Sequence, residues 1–201
     1  MEHINGLDTS LLLAINGWHS PIADKIMLFF SAIPVWIPLY VIVAALMFWP
    51  RWQTLKSERI PVWMTALFCI IAIAICFGFC DQASSFIKES VQRFRPGHEP
   101  SLEGLVRLLE GKGGSYGFVS GHAANTFGLA TLTSLIFRKK WYSIFIFLWA
   151  VTVSYSRIYL AKHYPLDVIC GALLGAAIGL LVYYILKLSL HKYEMYRRQR
   201  A

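Results

Sequence analysis

Five stretches of the chain are free or nearly free of charge: residues 26–49, 62–80, 119–137, 141–156 and 168–186. About 20 helical residues cross the hydrocarbon of a bilayer, so the first, second, third and fifth runs have the length of a membrane span. The fourth has 16 residues and is expected to continue past Arg157 into the headgroup layer. The pattern predicts an all-α, polytopic membrane helix bundle of about five transmembrane helices, forming one domain over residues 1–201. Pro34 and Pro38 should kink the first span, which packed neighbours can tolerate. Ahead of it, Asp8 is expected to cap a short run with Leu11, Leu12, Ile15 and Trp18 on one side, an interfacial helix.

Composition agrees with this picture. Of 201 residues, 57% are hydrophobic and only 15% charged, against about 25% charged in an average soluble domain. A disordered chain, a disulfide scaffold and a conventional soluble enzyme are excluded. The net charge of +8 does not point to nucleic acid, because eleven of the nineteen Lys and Arg residues sit between or after particular apolar runs. They are Arg51, Lys56 and Arg59, then Arg138, Lys139 and Lys140, then Lys187, Lys192, Arg197, Arg198 and Arg200. The positive-inside rule makes these segments cytoplasmic, the C-terminus with them, in a multi-pass cell (inner) membrane protein. Trp49, Trp52, Trp63 and Trp141 fall at the same boundary, as an aromatic belt should. Met1-Glu2-His3 has no basic n-region and no small-residue cleavage site, so no removable signal peptide is expected. Cys69, Cys76, Cys80 and Cys170 lie in apolar runs and read as small buried side chains.

The opposite, outer side gathers residues of another kind. Lys88 and Arg95 stand seven apart after span two, two helical turns, so both can face the bundle interior; snorkelling to the headgroups is the alternative. Arg93 is a further cation, expected on a different face. Ser120-Gly121-His122 precedes the third apolar run, with Ser120 placed as an N-cap and the first amides suited to an anion. Plain capping would account for Ser120 and Gly121, but not for an ionisable His122 in the first turn of a span. After span four come Arg157, His163, Pro165 and Asp167. Pro165 suits a first helical position, from which Asp167 can reach back to the His163 ring and fix its tautomer. A structural salt bridge between Arg157 and Asp167 is the alternative. No cluster has zinc spacing or a two-metal carboxylate arrangement. Two histidines, one carboxylate, several cations and a helix end suit phosphoryl chemistry without a metal.

Lys88-x6-Arg95-Pro96, Ser120-Gly121-His122 and Ser156-Arg157-x5-His163-x3-Asp167 resemble the three-part signature of type 2 phosphatidic acid phosphatases. These are membrane relatives of the vanadium haloperoxidases. One departure is Val119, where the family usually has proline, and an altered loop geometry is expected there. The resemblance implies that His163 is a nucleophile forming a phosphohistidine, Asp167 its orienting partner and His122 the general acid. It implies that Lys88, Arg95, Ser120, Gly121 and Arg157 bind phosphate, and that no cofactor or metal is needed. The partner would be a lipid phosphate in the bilayer, with undecaprenyl pyrophosphate expected by analogy. Phosphatidylglycerol phosphate, phosphatidic acid and lipid A phosphates are alternatives. A soluble haloperoxidase and a non-catalytic lipid-binding or transport protein are readings of other classes, disfavoured by the apolar spans and by the intact histidines.

Residues 97–118 form a loop long enough to expect function. Ser101 is placed as the cap of a short surface helix with Leu102, Leu105, Val106 and Leu109 on one side, a lid or merely a packed loop. Gly113-Gly114 after it reads as a hinge or a turn.

Overall fold

The computed structural model describes residues 2–52, 55 and 57–200; Lys56 of the basic set lies outside them. Every regular element among the described residues is helical: α1 (Glu2–Gly17), α2 (Pro21–Ser31), α3 (Ile37–Met47), α4 (Val62–Val91), α5 (Gly121–Phe137), α6 (Lys140–Tyr159) and α7 (Pro165–Gln199). α4 and α7 are long and apolar enough to cross a membrane, and α2 with α3 makes a third such unit if the bent pair is counted as one. α5 has only 17 residues, and the polar residues near its start and at the end of α6 dilute the apolar character of both.

The expected kink of span one is a break. α2 stops at Ser31, a 3-10 turn carries Pro34, and α3 restarts with Pro38 in its first turn, the two axes meeting at 70°. Proline lacks the N–H that a continuous helix would need and suits a first turn instead. α4 runs three turns beyond its apolar stretch and ends at Gln92, whose backbone is left-handed (φ 53°). α7 likewise continues through the basic tail to Gln199.

α5 is the central post, packed on α4, α6 and above all α7. The α5–α7 contact is backbone against backbone. A methyl added at Gly171 would stand 2.5 Å from the Ser120 carbonyl oxygen, and one at Gly175 would run into the Ala124 backbone. Gly171, Gly175 and Gly179 recur every fourth residue, so they share one face of α7, the small-residue stripe that lets membrane helices approach closely. Gly128 of α5, against the Gly175 carbonyl of α7, also leaves room for the Cys76 and Cys80 sulfurs of α4. Those two cysteines are buried packing groups, as expected.

The basic end is closed by aromatic rings, Trp52 lying edge-on to Phe137, Trp141 and Tyr142 at 5.1–5.9 Å. Around the bundle Leu67, Ile71, Ile75 and Phe79 of α4, and Ile144, Phe145, Leu148 and Val151 of α6, point outward and are exposed. In water such faces are a liability, whereas lipid is their matching solvent.

Two expectations about the end opposite the basic one are corrected. Asp8 does not cap its own helix: α1 begins at Glu2, and Asp8 is a mid-helix residue, 5% exposed, turned inward. The loop 97–118 forms no surface helix. A 3-10 turn at Pro100–Leu102 stops before Gly104, whose φ of +77° ends any helical continuation. Leu102 is buried while Leu105 is exposed, and Leu102, Val106 and Leu108 pack with Leu12 of α1. Asn16 fastens the loop by accepting from Arg107 N (2.8 Å) and donating to its carbonyl (3.0 Å), while Asp24 takes a two-pronged Arg107 at 2.8 and 2.5 Å.

Candidate active site

The site is assembled where α5 and α7 begin, where α6 ends, and where the chain leaves α4. Ser120 is the N-cap of α5, its hydroxyl accepting from Ala123 N at 3.5 Å, and its own N–H donates to the Asp167 carbonyl at 2.9 Å. That bond ties the two helix starts together. Gly121 stands against α4: a methyl there would lie 3.4 Å from Lys88 Nζ. The Phe118–Val119 peptide preceding it is cis.

His163 lies in the turn between α6 and α7, 2% exposed. Its Nδ1 is 3.6 Å from Asp167 Oδ2, longer than a hydrogen bond, and has no hydrogen-bond partner among the described residues. Asp167 Oδ2 instead accepts from Tyr164 N at 3.0 Å, so the carboxylate caps its own helix from beside the imidazole. Catalytic hydrogen bonds are often long before substrate arrives. Burial pushes the His163 pKa down to about 4, so the ring is neutral near pH 7 and its lone pair is available. His122, the second residue of α5, brings its ring to the same end of the bundle, within electrostatic reach of His163. The charges of Arg95 and Arg157 act on both.

The Arg157–Asp167 salt bridge does not form. Arg157 is 6% exposed, donates to Ser31 Oγ and pairs with Glu110 at 3.5 Å, and its Nε has no partner among the described residues. Asp167 belongs to Arg93. One guanidinium nitrogen of Arg93 donates to Asp167 Oδ1 at 2.8 Å and another to Asp8 Oδ2 at 2.6 Å, while the group lies 4.0 Å from the Tyr164 ring centre. Asp8 Oδ1 accepts from Leu166 N at 2.8 Å. Placing Arg93 on another face assumed that α4 continues. After Gln92 the chain is extended instead, with Gly117 N donating to the Arg93 carbonyl (2.8 Å) and Arg95 N to that of Ser115 (2.9 Å). Alternation then replaces helical periodicity, and Arg93 and Arg95 share a side. Arg95 also donates through Nε to the Tyr116 carbonyl at 3.0 Å.

Gly113 is a turn residue whose bare α-carbon makes room for Arg95: its φ is +75°, and an added methyl would be 3.0 Å from the guanidinium. Lys162 went unnoticed although it precedes His163. It is 5% exposed, donates to the Glu110 and Gly111 carbonyls at 3.0 Å each, and has its pKa lowered chiefly by burial. A lysine directly after the run Ile158, Tyr159, Leu160 and Ala161 was the available signal.

All eight residues singled out beforehand thus occupy one end of the bundle, with Arg93, Asp8, Lys162 and Glu110 added. Among the described residues no three His, Cys, Asp or Glu side chains converge as metal ligands. The arrangement can hold an anion against Arg95, Arg157 and a helix start, and present two imidazoles to it.

Known proteins share this arrangement of chain and fold. A lipid A 4′-phosphatase of Bacteroides thetaiotaomicron is 42% identical over 188 residues, 92% of this chain and 79% of that protein. An undecaprenyl-diphosphatase of Sulfolobus acidocaldarius is 31% identical over 88% of this chain and 77% of its own length. The crystal structure of a transmembrane PAP2-type phosphatidylglycerolphosphate phosphatase from Bacillus subtilis superposes with a TM-score of 0.64 at 25% identity, covering 96% of this chain and 88% of that one. The model of the PAP2 superfamily matches residues 63–190, from the start of α4 well into α7, with His122 and His163 inside it. On those grounds the chain belongs to the PAP2 superfamily, and it is a membrane lipid phosphatase.

Proposed function

We propose that the chain hydrolyses a phosphate monoester on the sugar of a lipid A-type glycolipid, at the outer face of the membrane, through a phosphohistidine. The observation that carries the chemistry is the convergence of a neutral buried His163, beside Asp167, with His122 under the charges of Arg95 and Arg157. Nδ1 of His163 faces Asp167, which leaves Nε2 to attack phosphorus. As the N–P bond forms, the P–O bond to the sugar breaks and His122 gives its proton to the departing oxygen. Water then attacks the phosphohistidine, His122 takes a proton from it, and inorganic phosphate leaves with His163 restored. Lys88, Arg95, Arg157, Ser120 and Gly121 offset the charge on the equatorial oxygens.

The choice of substrate rests on the greater likeness to the lipid A 4′-phosphatase. It replaces the carrier-lipid expectation, which the weaker likeness to an undecaprenyl-diphosphatase keeps as the second reading. In this proposal α5 and α6 complete five crossings, the basic end is cytoplasmic, and residues 92–120 lie outside.

Phosphate release from purified lipids, measured in EDTA, tests the reading. A 4′-phosphorylated lipid A should give the highest kcat/KM, above undecaprenyl pyrophosphate, phosphatidylglycerol phosphate and phosphatidic acid. His163→Ala should abolish both turnover and labelled phosphoenzyme. Activity lost in EDTA and restored by magnesium would overturn the mechanism, and faster turnover of the pyrophosphate would overturn the substrate.

A further inference from the structure

Beside His122 the helices border a half-open cavity of about 380 Å³. Its volume is within the range of small-molecule sites, roughly 300–1,000 Å³. It opens between the α2–α3 break, α4, α5 and α6, and its two walls differ in character. One is aromatic, formed by Phe30, Trp36, Tyr40 and Phe77. These rings are fixed by their neighbours: the Trp36 indole N–H donates to the Phe30 carbonyl at 3.1 Å, and Trp36 and Tyr40 both stand edge-on to Trp149. The other wall is polar, formed by Asp81 of α4 and Asn125 of α5 one turn beyond His122. Asn125 Nδ2 donates to Asp81 Oδ1 at 2.6 Å. That bond fixes the amide, so Asn125 Oδ1 is the atom left over, buried and without a partner among the described residues. Asp81 therefore offers acceptors alone, and the atom that Asn125 leaves buried and unpaired is an acceptor too.

We infer that this cavity receives the alcohol half of the substrate, and that Asp81 and Asn125 are specificity-determining residues selecting a leaving group rich in hydroxyl or amide N–H donors. The inference rests on the proposed roles of the two histidines. In an in-line displacement the departing oxygen lies opposite the nucleophile, on the side of the general acid, and His122 is itself part of the cavity lining. Whatever the oxygen belongs to must extend there.

An amino sugar suits both walls. Its hydroxyl and amide protons meet Asp81 and Asn125, and its C–H face meets the rings. A polyprenyl pyrophosphate suits neither, because its leaving group is a phosphate, which brings negative charge towards the Asp81 carboxylate and no donor for Asn125. Selection would then be partly repulsive, an unpaired and like-charged encounter for the wrong substrate.

The test compares full-length wild type, Asp81→Asn and Asn125→Leu in detergent, on a 4′-phosphorylated lipid A and on undecaprenyl pyrophosphate. The readout is the ratio of the two kcat/KM values, which cancels any loss of folded enzyme. Each variant should shift that ratio about tenfold towards the pyrophosphate, the effect of losing one hydrogen bond or one repulsion. An unchanged ratio in both variants overturns the inference while leaving a working wild-type phosphatase and its mechanism intact. A wild type that forms no phosphoenzyme with either lipid instead overturns the reading on which the inference rests.

Discussion

At the residue scale, the site is held by one arginine. Arg93 gives one arm to Asp167, which stands beside His163, and the other to Asp8, which caps the start of α7. Both carboxylates are buried, at 0% and 5% exposure, so removing the guanidinium leaves two negative charges facing each other out of water. Breaking a buried pair in this way costs about 3–5 kcal/mol. Arg93→Met should therefore lower the detergent melting temperature far more than Asp8→Asn, which removes a charge and keeps a polar group. Removing one of the two facing charges with Asp8→Asn in the Arg93→Met background should recover part of the loss. Additive losses in this cycle would mean that the triad is not coupled. The motif residues were legible because short spacings set them on helix ends. Arg93, Asp8 and Glu110 were not, since their partners lie 74 to 85 residues away or in a different loop, and only folding decides who meets whom.

At the scale of elements, apolar length located each bundle helix from α2 to α7, but not the ends of those helices. Hydropathy stops where the bilayer stops, whereas α4 and α7 keep their hydrogen-bonded backbone well past it. The fate of Arg93 turned on that difference, since a helical face was read where an extended segment begins. The glycine spacing in α7 was equally visible and went unread as a contact surface. Its importance is measurable. Gly175→Leu must displace the α5 backbone, and overpacking of this kind typically costs about 1–3 kcal/mol or more. The expected outcome is loss of activity together with a lower melting temperature. Gly78→Ala, whose added methyl meets nothing within 4 Å, should match or slightly exceed wild-type stability. Equal melting temperatures for the two variants would show that α5 and α7 are not in backbone contact.

For the whole molecule, the division between a basic, aromatic end and an end carrying the site is the ground for the proposed sidedness. In a cysteine-free background, Ser101→Cys should react with an impermeant thiol reagent in spheroplasts, while Ser57→Cys should react only after the membrane is opened. The reverse pattern would put the chemistry in the cytoplasm. The close fit of α5 on α7 has one more consequence. His122 heads one of these helices and His163 immediately precedes the other, so the distance between the rings is inherited from where the two backbones interlock. Notches recurring every fourth residue admit a slip only by whole steps of four residues, about 6 Å at a time. The two imidazoles are thus either in register or a full step apart, and no gradual drift of the lipid-facing surface can detune them.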